Sequence, residues 1–189
     1  MGLFERLFGT GKPPEKSYVD AGVQLTHNLV QCFGLDGWET GIPSHSPAEV
    51  DAINRRLEMW QRMANEELGG EARFHPEAAD IIQRTCVAEA LEDLANEGWK
   101  YSDSDFLPED WRGRVSTYLK AWACKLNPMV LLQMAELMNR AGCHDQSGKT
   151  LQVVLLFPSY AHRYFGGAEN TTELVNSIVE DARKSLQKL

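Results

Sequence analysis

The sequence lacks the long apolar runs and the cysteine patterns that mark membrane and secreted proteins. No apolar stretch approaches the roughly 20 residues that span a bilayer. The opening MGLFERLFG has neither the apolar core nor the small-residue cleavage site of a signal peptide. The 4 cysteines are far apart and form no CxxC pair, which predicts reduced thiols rather than a disulfide framework. We therefore expect a cytoplasmic protein.

Basic residues are scarce relative to acidic ones. The 189 residues include 19 Lys and Arg against 27 Asp and Glu, so the net charge is -8. Because affinity for duplex nucleic acid depends on Lys and Arg meeting phosphates, this balance argues against a general DNA or RNA binder. The whole acidic excess falls in residues 21–100, which hold 6 basic and 14 acidic residues.

Alternation of polar and apolar residues with a period of two is also missing, and helix signals are present instead. Ser46-Pro47-Ala48-Glu49 combines an N-cap, a proline at the first helical position and a capping-box glutamate. Apolar residues then recur at three- and four-residue spacing until a glycine pair follows. This pattern predicts a helix over residues 46–68. Its expected inward face consists of Val50, Ile53, Leu57, Trp60, Ala64 and Leu68.

Comparable start signals recur along the chain and predict further helices. They lie at Ser17, Pro76, Pro108, Asn127 and Asn170. The apolar run LQVVLLF at residues 151–157 could be a strand, but a lone strand would have no partner. We therefore expect a buried helix over residues 148–165 that ends or kinks at Pro158.

These segments predict an all-α fold class, an irregular bundle or short array of about seven helices in antiparallel hairpins. Residues 16–189 are expected to form a single domain, because no linker is long or biased enough to separate two. Residues 1–15 are expected to form an amphipathic N-terminal segment and its linker.

Residues 118–158 resemble tetratricopeptide-type helical hairpins in the positions of their small and large side chains. In each repeat of that family the second helix ends with a small residue, a leucine and a proline, and these positions are matched by Ala123, Leu126 and Pro128. The first helix of the following repeat has a small residue, a bulky residue and a glycine at the turn, and these are matched by Ala135, Met138 and Gly142. The resemblance implies a concave protein-binding surface with no chemistry of its own.

The first nine residues are a candidate partner-binding segment. Four large apolar side chains fall on one side of two helical turns, and they are Leu3, Phe4, Leu7 and Phe8. So short a helix is unstable alone in water, whereas burial of each side chain is worth about 1.5–3 kcal/mol. The segment is therefore disordered or docks on the protein's own core, in a partner's groove or on a membrane surface. Few basic residues lie nearby, which makes the membrane the least favoured of these.

An aromatic segment at residues 157–167 is a second candidate for partner binding. Its candidate contact residues are Tyr160, His162, Arg163 and Tyr164. Tyr and Arg are frequent hot-spot residues at interfaces. Filling of the protein's own core is the competing interpretation for the aromatic side chains.

An acidic surface on the helix that begins at Pro76 is a third candidate. Its carboxylates are Glu89, Glu92, Asp93 and Glu97. Such a run is either a solvated helix face or a docking surface for a basic partner. Binding to a basic partner would weaken as salt increases.

No motif predicts a reaction, a metal site or a cofactor. Residues 142–150 look like a phosphate-binding loop, but five residues rather than four separate the glycines and a helix rather than a strand precedes them. We expect a turn between two helices, with Gly142 as the C-cap and Ser147 near the next N-cap. Adjacent Cys143 and His144 have poor spacing for metal ligands.

The sequence therefore predicts a non-catalytic protein-interaction or adaptor module that binds a protein and neither nucleic acid nor a cofactor. The alternative is an all-α small-ligand-binding or enzymatic domain with an internal apolar pocket. Methionines beside Trp122 suggest this alternative, and they are Met129, Met134 and Met138. The oligomeric state stays open.

Overall fold

The computed structural model describes residues 16–35, 37–38, 41–68, 76–100, 106–158 and 169–189. Seven helices account for most of these residues, and no strand occurs among them. The helices are α1 (Lys16–Phe33), α2 (Pro47–Leu68), α3 (Pro76–Asn96), α4 (Trp111–Lys125), α5 (Pro128–Arg140), α6 (His144–Leu155) and α7 (Glu169–Leu186). The predicted all-α fold is therefore confirmed, whereas the predicted N-terminal segment lies outside the described residues.

The chain divides into two compact units. The terminal unit consists of Met1–Gly34 and Asn127–Leu189, and the central unit consists of Leu35–Leu126. The terminal unit has 9 acidic and 9 basic residues, whereas the central unit has 18 acidic and 10 basic residues. The net charge of -8 therefore belongs entirely to the central unit. The expectation of one domain over residues 16–189 stays a prediction.

In the central unit, α3 packs against both α2 and α4, and its contact with α4 is the larger of the two. The hydroxyl of Tyr118 in α4 donates a hydrogen bond to Asn96 Oδ1 of α3 at 2.6 Å. Arg114 of α4 donates from Nη1 to the carbonyl oxygen of Ala95 at 3.0 Å. Since the last carbonyls of a helix have no partner within it, the bond from Arg114 stabilises the C-terminal end of α3, while the bond from Tyr118 joins the two helices through a side chain of α3. The largest buried side chains of this unit are Leu91, Trp99, Tyr118, Leu119 and Trp122.

The start of α2 carries the predicted capping box. The backbone N–H of Ser46 donates to Glu49 Oε2 at 2.7 Å, and the backbone N–H of Glu49 donates to Ser46 Oγ at 3.3 Å. This reciprocal pair satisfies two backbone donors at the helix start. The predicted helix over residues 46–68 is confirmed, since α2 runs from Pro47 to Leu68.

In the terminal unit, α5 packs on α6, and α6 also contacts α1 and α7. The side chain of Asn127 accepts the N–H of Met129 at 3.1 Å and so caps the start of α5, as predicted. At the other end Gly142 has a positive φ of 74°. Its N–H donates to Asn139 O at 3.0 Å, and the next N–H donates to Met138 O at 2.8 Å. These two bonds form a Schellman motif, which requires the left-handed conformation that glycine adopts without strain.

The predicted turn between two helices at Gly142 is present, but it is shorter than the expected residues 142–150. Because α6 begins at His144, the predicted N-cap near Ser147 and the predicted helix start at residue 148 are wrong. Ser147 lies inside this helix, where its buried hydroxyl donates to the carbonyl oxygen of Ala135 in α5 at 2.8 Å. This hydrogen bond joins α6 to α5, and Gly148 lies beside the side chains of Leu186 and Leu189.

The helical assignment of the LQVVLLF run is confirmed for residues 151–155. The helix ends at Leu155, ahead of a turn that leads to Pro158. Residues 159–165 of the predicted helix lie outside the described part of the chain.

Candidate functional site

The apolar stripe of α2 is only partly covered. Of the inward positions predicted for this helix, Ile53 is buried, whereas Val50 is 41% exposed and Leu57, Trp60 and Ala64 are half-buried. Two further apolar side chains, Met59 and Met63, are 37% and 42% exposed. Exposed methionines are common on surfaces that bind partners, because the unbranched thioether side chain adapts to different shapes.

An open groove of about 570 Å³ lies between α2 and the C-terminal end of α3. Its floor combines small and apolar residues, which are Ala52, Met59, Ala90, Leu94 and Gly98. Its charged rim consists of Arg55, Arg56, Asp93 and Glu97. The alanines and the glycine leave space that larger side chains on the two helices would occupy. We call this feature the α2–α3 groove.

The charges on the rim are only partly neutralised within the central unit. Arg56 forms an ion pair with Asp93, and its Nη1 lies 3.8 Å from Glu89 Oε2. Arg55 and Glu97 are exposed, and neither forms an ion pair with another described residue. One side of the groove thus presents Arg55, and the other presents more carboxylates than Arg56 neutralises.

The structure places the predicted acidic residues at the end of α3 and just beyond it. Asp93 and Glu97 are exposed and line the groove, while Glu89 is half-buried and pairs with Arg56. Glu92 is half-buried and does not line the groove. The structure therefore brings two of the four carboxylates, Asp93 and Glu97, into the lining of the groove.

The other predicted partner-binding residues lie outside the described part of the chain. In the N-terminal segment these are Leu3, Phe4, Leu7 and Phe8, and in the aromatic segment they are Tyr160, His162, Arg163 and Tyr164. Phe157, the first residue of the aromatic segment, is completely buried.

A buried ion pair connects α2 to α4, and sequence reasoning missed it. Lys120 Nζ donates to Glu49 Oε2 at 2.7 Å and to the carbonyl oxygen of Ser44 at 3.1 Å. The hydroxyl of Thr117 donates to Glu49 Oε1 at 3.0 Å. Both charged side chains are less than a tenth exposed. The one available signal was a lysine among the apolar residues of YLKAW.

The protonation of Glu49 depends on these contacts. Burial alone raises the pKa of this carboxyl, but the hydrogen bonds from Lys120, Ser46 and Thr117 outweigh it and hold the pKa below its usual value. Glu49 is therefore ionised and saturated with hydrogen bonds, so it has the properties of a structural anchor rather than of a general base.

The cysteines differ in exposure, and two of them have raised pKa values. Burial raises the pKa of the Cys86 thiol to about 11 and also raises that of Cys124. Both are therefore protonated at neutral pH and are poor nucleophiles. Cys32 is exposed, and its sulfur accepts a hydrogen bond from Gln146 Nε2 at 2.8 Å. Within the described residues, no three His, Cys, Asp or Glu side chains cluster as metal ligands.

The methionines that suggested a ligand pocket lie mainly in the core of the terminal unit. Met134 and Met138 are completely buried, and Met129 is half-buried. Trp122 is buried in the core of the central unit.

Comparisons with models of protein families, with curated proteins and with solved structures gave no match. None of the described helices combines the length and the apolar character needed to cross a membrane.

Proposed function

We propose that this chain is a non-catalytic protein-interaction module and that the α2–α3 groove is its docking surface. The observation that carries the proposal is the partly exposed apolar stripe of α2 beside an open groove with an apolar floor. Burial of such apolar surface by a partner is favourable, and a groove between two helices commonly binds a third helix.

The wider proposal includes the predicted tetratricopeptide-like character, a cytoplasmic location and a partner that is a protein. The short connection between α5 and α6 is the kind that joins the two helices of a hairpin. The N-terminal and aromatic segments remain predicted partner contacts in addition to the groove. A small-ligand or enzymatic domain remains the alternative, although Met134 and Met138 fill the core rather than line an open site.

The test is affinity capture from cells that express the chain, with three baits compared side by side. Ala52→Phe places a large side chain in the groove, and Ala123→Phe places the same side chain on the exposed face of α4 as the matched control. We expect the wild type and Ala123→Phe to retain the same partner and Ala52→Phe to lose it. Retention of that partner by Ala52→Phe, with all three baits folded, would contradict the proposal.

A further inference from the structure

We infer that the α2–α3 groove binds a basic amphipathic helix of a partner protein. The inference rests on the proposed function and adds the chemistry of the partner, which follows from the dimensions of the groove and from its charges.

The shape of the groove fits one face of a helix. Along α2 the apolar groove residues Ala52 and Met59 lie about 10 Å apart at the rise of an α-helix, which is about two turns, and the exposed Met63 follows about one turn further on. Ala90 and Leu94 of α3 are spaced four residues apart on the facing side. A partner helix with large apolar side chains at three- and four-residue spacing would place them over the alanines and between the methionines.

The charges favour lysine and arginine on one edge of that helix. A row of carboxylates runs along the end of α3, in which Asp93 and Glu97 line the groove and Glu89, one helical turn before Asp93, pairs with the groove residue Arg56. Arg56 is the basic side chain that pairs with this row. The central unit also carries the full net charge of -8, which attracts a basic partner during diffusional encounter.

Arg55 makes the two edges of the groove unequal. It is exposed on the α2 side, opposite the row of carboxylates. A partner helix is therefore expected to carry basic residues on the edge facing α3 and an acidic or uncharged residue on the edge facing Arg55. This asymmetry would select one orientation of the bound helix.

The inference can be tested with three synthetic peptides of about 18 residues, a length that covers the groove with a margin at each end. The first carries leucine at three- and four-residue spacing, lysine along one edge of that apolar stripe and glutamine at the remaining positions. The second replaces every lysine with glutamate. The third contains the residues of the first in an order without an apolar stripe. Binding to the full chain is measured by fluorescence anisotropy at low and at moderate salt.

We expect the striped lysine peptide to bind at least about tenfold more tightly than either of the others, and more weakly as salt increases. Ala52→Phe should weaken its binding by at least about tenfold, whereas Ala123→Phe should leave it unchanged. Glu97→Lys should weaken binding by about threefold to tenfold, and Glu109→Lys, an equal charge change at an exposed site outside the groove, by less.

The outcomes separate this inference from the proposed function. Equal binding of the lysine and glutamate peptides, both blocked by Ala52→Phe, would overturn the basic partner while supporting the groove as a docking surface. Equal binding of the striped and scrambled lysine peptides would show non-specific attraction and overturn the inference. Absence of binding by the lysine peptide would also overturn it, and groove-dependent capture from cells would then still support the proposed function.

Discussion

α2 and α5 begin alike and are buried differently. Each has a polar cap followed by proline, and each carries apolar residues at helical spacing. In α5 the apolar side chains of Val130, Leu131, Met134, Leu137 and Met138 are completely buried. In α2 the buried side chains among those described are Ile53 and Glu49. Apolar spacing therefore predicts which face of a helix is apolar, but it does not predict whether other parts of the same chain bury that face.

The two helices are also held by different forces. α5 is held by apolar packing, whereas the N-terminal end of α2 is held by the ion pair of Glu49 with Lys120. The ion pair anchors α2 at its N-terminal end, and apolar side chains farther along the helix, such as Met59 and Met63, are exposed and available to a partner. The following predictions test this contrast, in order of decreasing effect.

Lys120→Ala should give the largest loss of stability. It leaves the carboxylate of Glu49 buried without its cationic partner, which costs about 3–5 kcal/mol. Urea unfolding followed by tryptophan fluorescence measures the loss. Lys184→Ala, at an exposed ion pair in α7, is the control and should cost at most about 1 kcal/mol. Similar losses for both variants would show that the buried pair does not anchor α2.

Truncation of one leucine in each helix compares their packing directly. Leu131→Ala in α5 should cost about 2–5 kcal/mol because it opens a cavity in a completely packed core. Leu57→Ala in α2 should cost about 1 kcal/mol, because its side chain is only half-buried. Urea unfolding of both variants gives the comparison. Equal losses would mean that α2 is as firmly packed as α5 despite its exposure.

Lowering the pH should reduce the stability of the protein through protonation of Glu49. Because the pKa of this carboxyl is lower in the folded protein than its usual value of 4.5, its contribution to stability is present above that value. The contribution is lost as the pH falls through the folded pKa. The difference in urea midpoint between the wild type and Glu49→Gln should therefore be constant near neutral pH and shrink below 4.5. A difference that does not change with pH would contradict this role of Glu49.

The smallest effect on stability is expected at Met63, an exposed apolar side chain of α2. Met63→Gln should change stability by less than about 0.5 kcal/mol, because its side chain is already 42% exposed. Thermal unfolding measures this change. The same variant should weaken binding of the striped lysine peptide, because it removes exposed apolar surface about one helical turn beyond the groove residue Met59. Destabilisation by more than about 1 kcal/mol would show that Met63 packs within its own unit.

Much of the fold was predictable from the sequence because helix starts are local. The capping box at Ser46 and the cap at Asn127 depend on residues within three positions of each other, and both are present in the structure. The start of α6 was not predictable from the same rules. Ser147 and Gly148 have the composition of a turn, but Ser147 lies inside a helix and donates a hydrogen bond to Ala135 of α5, a contact that the local sequence does not reveal.

The groove was only partly predictable, because it depends on what tertiary packing leaves uncovered. The acidic residues at its rim, Asp93 and Glu97, belong to the acidic surface that was evident from the sequence. Their proximity to Arg56 and Met59 depends on the packing of α2 against α3, to which no local pattern pointed. The pairing of Glu49 with Lys120, which are 71 positions apart, required the fold as well.

Hydrogen–deuterium exchange of the full chain, with and without the striped lysine peptide, tests the central claim most directly. We predict slower exchange on peptide binding in α2 and in the C-terminal half of α3, and unchanged exchange in α5 and α6. Protection confined to the terminal unit would contradict the claim that the α2–α3 groove is the docking surface.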